Sequence, residues 1–254
     1  MLHKKNSLGN LLLNMVAGRS FKRFCIVGIG NHCKKNIIPA LNSIHKQIIG
    51  IVTTQIGFNI GVNTRIFSNI DDAINNLPKD TIFILSTPPK YHVRDILKIV
   101  KSNRHVYVEK PILVENTYLN EIVEICLHNN LVLVEMFMYK HTKMYKKFIE
   151  IWNKNLCSIE VLEIKFYIPS IPNNTFRTNK DIFDSSIFDI GCYPLSLLAE
   201  LDINLTDLSI ESAIYNNPND QSFMISDRKS KIKTIISFGV GYDYQNYVNV
   251  KLED

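Results

Sequence analysis

The chain has no apolar run approaching the ~18 to 20 residues that a membrane-spanning helix needs, so no such helix is expected anywhere in its 254 residues. Its five cysteines, Cys25, Cys33, Cys126, Cys157 and Cys192, are odd in number and form no CxxC pair. No histidine stands near them at metal-ligand spacing, which excludes a disulfide scaffold and a zinc site from the expectations. Cys25 and Cys157 sit in apolar runs and read as small core residues, as suits a reducing cytoplasm. Low-complexity tracts and internal repeats are absent. With 46% hydrophobic and 21% charged residues, the composition is that of an ordinary globular protein, long enough for one large or two modest domains.

Acid is missing from the first part of the chain. Lys4, Lys5, Arg19, Lys22, Arg23, Lys34, Lys35, Lys46 and Arg65 precede the first carboxylate, Asp71. The net charge of +5 is too small to imply nucleic acid. Its bias toward one end points to an anionic small ligand there, such as a phosphate-bearing cofactor. The plain alternative is a codon bias toward Lys and Asn. The opening residues 1–22 carry a basic start and an apolar stretch, but Asn14 interrupts that stretch and no A-x-A-like site follows. They read as an N-terminal extension, an appended helix or arm, rather than a signal peptide.

Beyond that extension, short apolar runs alternate with helical patterns. Strands are expected at Arg23 to Gly28, Ile48 to Thr53, Thr64 to Phe67, Thr81 to Ser86, His105 to Val108 and Leu131 to Glu135. Helices are expected from Lys34 to Ile44, from Asn69, from Tyr91 to Ser102 and from Asn116 to His128. In the first, Ile37, Ile38, Leu41 and Ile44 share one side. Continuous apolar strands separated by helices are the mark of a parallel sheet covered on both faces. The expected fold class is α/β: a doubly wound Rossmann domain over residues 23–140, then an α+β domain over 141–254. Tyr139 to Trp152 reads as a linking helix. Strands follow at Ser158 to Ile168, Leu208 to Tyr215, Ser222 to Asp227 and Lys231 to Val240, giving an open, largely antiparallel sheet. A polar loop from Pro169 to Ser186 leads to a helix from Asp189 to Glu200.

Chemistry-bearing residues fall at the ends of these elements. Gly28-Ile29-Gly30-Asn31 follows the first strand and opens a helix. The first glycine permits a tight turn, and the second lets the backbone approach a pyrophosphate at the helix N-terminus. Cys33 stands where the usual third glycine would be. At the end of the second strand, Val52-Thr53-Thr54-Gln55 lacks the acid that selects NAD by holding a ribose 2′-hydroxyl. That permits NADP, with Thr54 donating to the 2′-phosphate; binding of both cofactors without preference is the other reading. Thr87-Pro88-Pro89 fixes an extended loop at the carboxyl edge of the sheet, where cofactors lie. His92, standing alone, reads first as structural. Lys110, in Glu109-Lys110-Pro111, points into the crevice at the end of the fifth strand, where an ammonium can hold a substrate oxygen and pass a proton. Asp189 is placed to cap the helix of the second domain, with Tyr193 one turn on along the same face. A cap with a packed aromatic is the plain reading; a phenol that donates a proton to a carbonyl is the functional one.

Taken together, Val27 to Asn31, Thr87-Pro88 with His92, Val108 to Pro111, Val134 to Tyr139, Phe176-Arg177 and Phe188 to Pro194 resemble the Gfo/Idh/MocA oxidoreductases in order and spacing. The resemblance implies hydride transfer between NADP or NAD, NADP being favoured, and a sugar or cyclic alcohol, with a nucleotide-linked keto sugar as one such substrate. It implies Lys110 as the catalytic lysine, with Tyr193 and Asp189 beside it. It implies cofactor contacts at Gly28, Ile29, Gly30, Asn31, Thr53, Thr54, Thr87, Pro88, His92, Glu109 and Lys110. Substrate contacts fall to Lys110, Arg177, Asp189 and Tyr193. No metal, nucleic acid or membrane partner is expected, and the cytoplasm is the expected location.

Asp184-Ser185-Ser186 departs from the family's glycine-rich run. The chain also stops at Asp254, short of the usual second domain, with Tyr244 to Val248 read as a strand in mid-sheet. An inactive, nucleotide-binding paralogue serving as sensor or partner subunit is therefore the alternative, and an α/β domain that binds no nucleotide is a third reading. The incomplete sheet is expected to support homo-oligomerisation through its open face.

Overall fold

The computed structural model describes residues 21–55, 57, 63–112, 118–172, 177, 186–217, 220–227 and 231–253. Most of the N-terminal extension, the start of the helix expected from Asn116, Phe176, Asp184-Ser185 and most of the loop from Pro169 to Ser186 lie outside the described residues. The chain divides into two compact units, one ending at Met136 and one starting at Phe137.

In the first unit six strands form one sheet: β1 (Arg23–Val27), β2 (Gln47–Val52), β3 (Arg65–Phe67), β4 (Ile82–Leu85), β5 (Val106–Glu109) and β6 (Leu133–Met136). Their order is β3-β2-β1-β4-β5-β6, and every pair is parallel. This is the doubly wound Rossmann arrangement, whose order reverses between β1 and β4. The helices are α1 (31–43), α2 (Ile70–Asn76), α3 (His92–Lys101) and α4 (Leu119–His128). The period of two along each strand sorts side chains to two cores. Cys25, Val27, Phe83 and Leu85 join Ala73 of α2, Ile96 and Ile99 of α3, and Ile122 of α4. Phe24, Ile26, Ile82 and Ile84 join Cys33 and Leu41 of α1. Burial on both faces explains why these strands read as unbroken apolar runs.

Several local features have clear causes. Asn69 caps α2, its side chain accepting from Asp72 N at 2.9 Å. At the other end of α2 the buried Arg104 donates to the carbonyls of Ile74 (2.7 Å), Leu77 (2.9 Å) and Pro78, satisfying acceptors the helix end leaves open. Helix α1 starts three residues earlier than its periodicity predicts and carries a π-helical turn at Cys33–Ile37. Ile44 is not part of its buried face: it is 60% exposed, because the helix ends at Ser43 and His45 turns the chain at φ 55°.

The second unit opens with a 3₁₀ turn at Met138–His141 rather than a continuous linking helix. Thr142 then caps α5 (Lys143–Asn155) by accepting from Tyr145 N at 3.1 Å. Five strands follow: β7 (Ile159–Ile168), β8 (Ser209–Asn217), β9 (Asp220–Asp227), β10 (Lys233–Val240) and β11 (Gln245–Leu252). The order is β11-β7-β10-β9-β8; only β7 and β10 run parallel. Trp152 of α5 and Leu197 and Leu198 of α6 (Cys192–Glu200) share a core with Leu162, Ile164, Ile225, Ile236 and Phe238. Of the stretch read as mid-sheet, Tyr244 to Val248, the residues from Gln245 belong to strand β11, which lies at the edge of this sheet and pairs with β7 from Gln245 to Leu252. Cys157 is exposed, not a core residue, because it falls in the turn between α5 and β7.

Candidate active site

The sequence residues of the first unit gather at the carboxyl ends of its parallel strands. Gly28 leaves β1 at φ 88°, a left-handed conformation that glycine adopts without a side-chain clash. Its N–H donates to Val52 O at 2.9 Å, and Ser86 N donates to Val27 O at 2.8 Å. A Cβ on Gly28 would stand 2.9 Å from Ser86 O and 2.9 Å from Thr87 Cγ2, so β1 and β4 close tightly here. Gly30 differs: a methyl group there would meet no atom within 4 Å. Ile29 is buried, whereas Gly30 and Asn31 are exposed at the start of α1. Cys33 lies fully buried under the turn. Burial, with the Glu109 carboxylate nearby, pushes its thiol up to about 11, which keeps it a neutral packing group.

The end of β2 is tied to this turn. Gln55 donates through Nε2 to Ile29 O at 3.1 Å and accepts from Lys34 Nζ at 3.0 Å; its N–H donates to Thr53 Oγ1 at 3.0 Å. Thr54 is exposed. Lys34 thus places an ammonium where an NAD-selective site would carry an acid. At the end of β4, Thr87 Oγ1 is buried and has no hydrogen-bond partner among the described residues. Pro88 precedes the 3₁₀ turn Pro89–Tyr91.

At the end of β5, Glu109 Oε1 lies 3.1 Å from His32 Nε2 of α1. Lys110 follows, half-buried. His92, at the start of α3, is buried, with Nδ1 2.8 Å from Pro111 O and Nε2 2.8 Å from Thr87 O. Both ring nitrogens thus face backbone carbonyls, one in the turn after β5 and one in the turn after β4. Burial lowers its pKa; the two carbonyls and the carboxylates of Asp95 and Glu109 act in the opposite direction. Glu135 of β6 accepts from Ile112 N at 2.8 Å. Sequence reading missed His32, Lys34, Gln55 and Glu135 as working parts of this edge. The one available signal was that Gln55 and Glu135 stand at strand ends.

In the second unit Asp189 does not cap a helix. It ends a helical turn at Ser186–Asp189, is buried, and receives Arg177 Nε at 2.6 Å, while Gly191 is the N-cap of α6. The ion pair between the buried carboxylate and the guanidinium fixes the Arg177 side chain. Tyr193 N donates to Ile190 O at 3.2 Å, and its ring meets those of Phe137, Phe166 and Tyr139 at 5.7, 5.3 and 6.1 Å. Beside it, Tyr139 and Ser196 hydroxyls lie 2.8 Å apart, and Lys140 pairs with Glu200 at 2.7 Å. Burial, then the Glu200 carboxylate, pushes the Tyr145 phenol up to about 12.

Among the described residues no group of histidine, cysteine and carboxylate side chains could hold a metal ion, and no helix is long and apolar enough to cross a membrane. Residues 22–137 match the family described as oxidoreductases with an NAD-binding Rossmann fold. That match, a little under half of the chain, is to the Gfo/Idh/MocA oxidoreductases. The chain is 21% identical over 173 residues to a dTDP-3,4-didehydro-2,6-dideoxy-alpha-D-glucose 3-reductase of Actinomadura kijaniata, covering 66% of this chain and 51% of that enzyme. It is 26% identical over 120 residues to the enzyme of that name from Saccharopolyspora spinosa, covering 45% and 35%. The chain thus spans about half, or less, of the curated relatives it matches. A crystal structure of a 3-ketoreductase from Actinomadura kijaniata, in complex with NADP and TDP-benzene, matches at a TM-score of 0.75 and 17% identity, covering 90% of this chain and 73% of that one. At that identity the likeness is one of fold. The turn at Gly28, the Thr87-Pro88 turn and Glu109-Lys110 all fall within the matched residues, at the carboxyl edge of the sheet.

Proposed function

We propose that this chain is an NADP(H)-dependent reductase of a ketone on a sugar, with a nucleotide-linked keto sugar as substrate. The observation that carries the reading is the carboxyl edge of the first sheet. There a left-handed Gly28, a Gly30 open among the described residues and a buried Thr87 hydroxyl with no partner among them flank the point where strand order reverses. Those residues fit a dinucleotide. Gly28 and Gly30 let the backbone approach the pyrophosphate, the first turn of α1 offers it N–H donors, and Thr87 Oγ1 has a hydrogen bond left to make. Lys34 and Thr54, with no acid at the end of β2, favour a 2′-phosphate.

When bound, the nicotinamide supplies or accepts the hydride. Lys110 holds the substrate oxygen that becomes the alcohol. In the second unit Tyr193 carries a phenol able to give a proton to a carbonyl oxygen, and Arg177, whose Nε lies 2.6 Å from Asp189, carries a cation suited to a polar substituent of the substrate. The curated relatives, all dTDP-sugar 3-reductases, support the substrate class. The test is binding followed by turnover: NADPH fluorescence on titration, then NADPH consumption against a panel of nucleotide-linked keto sugars. Binding without turnover of any member would favour the inactive paralogue. We place homo-oligomerisation on the second sheet, where Ile210, Ile214 and Met224 are exposed; light scattering that shows a monomer at micromolar concentration refutes it.

A further inference from the structure

Pro111 C=O and Ile112 N–H belong to one peptide group, the first after the Lys110–Pro111 bond. His92 Nδ1 lies 2.8 Å from that oxygen, and Glu135 Oε1 lies 2.8 Å from that nitrogen. The C=O and N–H of a planar peptide point in opposite directions, so the two side chains grip it from opposite sides. They come from different elements, the start of α3 and strand β6. Turning this peptide about its flanking bonds breaks both contacts at once. His92 Nε2 also lies 2.8 Å from Thr87 O, but a neutral ring carries one proton, so the Nδ1–H form bonds Pro111 O and leaves Thr87 O as a packing contact. His92 is fully buried, and Pro111 is buried as well.

We propose that His92 and Glu135 are positioning residues for Lys110, acting together through the Pro111–Ile112 peptide. The pair fixes the backbone from which Lys110 projects, so the ammonium stands at one place on the carboxyl edge. Gripping the Pro111 oxygen requires the proton on Nδ1, because a lone pair there would face the carbonyl. The inference rests on the catalytic role given to Lys110 above, and its tests separate the two.

Nitrogen-15 NMR of histidine-labelled protein, with His92 assigned by its loss in His92→Asn, reads the ring directly. An Nδ1–H at neutral pH is expected; an Nε2–H tautomer alone overturns the proposal. Amide exchange at Ile112 should be slow in the parent and in Glu135→Gln, which keeps an acceptor oxygen, and fast in Glu135→Leu. Equal protection in Glu135→Leu overturns it. These readouts need no substrate, so they stand even if no keto sugar is turned over. In kinetics, Glu135→Leu should lose about 10²-fold in kcat, the scale of a misplacement near 1 Å, with NADPH affinity unchanged and Glu135→Gln close to the parent. Adding His92→Asn to Glu135→Leu should cost little more, because both act on one peptide. Fully multiplicative losses, or a loss of NADPH affinity that matches the loss in kcat, overturn the coupled-positioning account.

Discussion

Replacing the two glycines of the first turn by alanine separates folding from cofactor binding. Gly28→Ala forces an L-residue into φ 88° and sets a methyl group 2.9 Å from Ser86 O and from Thr87 Cγ2. The left-handed backbone costs roughly 1–2 kcal/mol and the overlap with β4 backbone roughly 1–3 kcal/mol more. The sum, about 2 to 5 kcal/mol, corresponds to a fall of roughly 8 to 20 °C in the melting temperature of the first unit. Gly30→Ala meets nothing within 4 Å and should melt close to the parent. That open space, however, is where a pyrophosphate is proposed to approach the backbone, so its NADPH affinity should fall more than about tenfold, or 1.4 kcal/mol. Thermal melts without ligand, paired with NADPH titration, read both effects. Gly30→Ala binding NADPH as tightly as the parent would refute the cradle. Gly28→Ala melting with the parent would refute the strain argument.

Three further outcomes follow from the same geometry. Thr54→Asp should weaken NADPH more than NADH in equilibrium titration, by setting a carboxylate against the 2′-phosphate; unequal weakening in the opposite sense contradicts the reading of β2. Tyr193→Phe should cut turnover by about 10² to 10⁴, the usual worth of one general acid, and full activity would move the proton donation elsewhere. His92 has its pKa lowered by burial, so the unfolded chain binds the proton more readily. The stability this contributes is present above the ordinary histidine range and is lost as pH falls through the lowered value. Acid melts of the parent should show that loss, and His92→Asn should lack that share of it.

The doubly wound sheet was legible because its central strands β1 and β4 are buried on both faces, so Phe24 to Val27 and Ile82 to Leu85 read as unbroken apolar runs. The turn at Gly28 and the tripeptide ending β5 were legible because turn chemistry and strand ends are local. What escaped was set by distance along the chain. Nothing local shows that Arg177 holds Asp189, that His32 reaches Glu109, or that Gln55 ties Lys34 to the Ile29 carbonyl. Asp189 looked like a cap because a helix follows it, but the ion pair takes its carboxylate and Gly191 stands at the N-cap. Ile44 fits the helical period by count, yet the chain has already turned toward β2. Cys157 sits among apolar residues in sequence and in a solvent-facing turn in space.

The central claim is that NADPH binds at the carboxyl edge of the first sheet and is used there through Lys110. It is tested most directly by comparing the parent with Lys110→Met in one experiment: NADPH titration by fluorescence, then NADPH consumption on adding a nucleotide-linked 3-keto sugar. The account predicts equal NADPH affinity for the two proteins, with consumption by the parent alone. Failure of the parent to bind NADPH, or equal consumption by Lys110→Met, would contradict it.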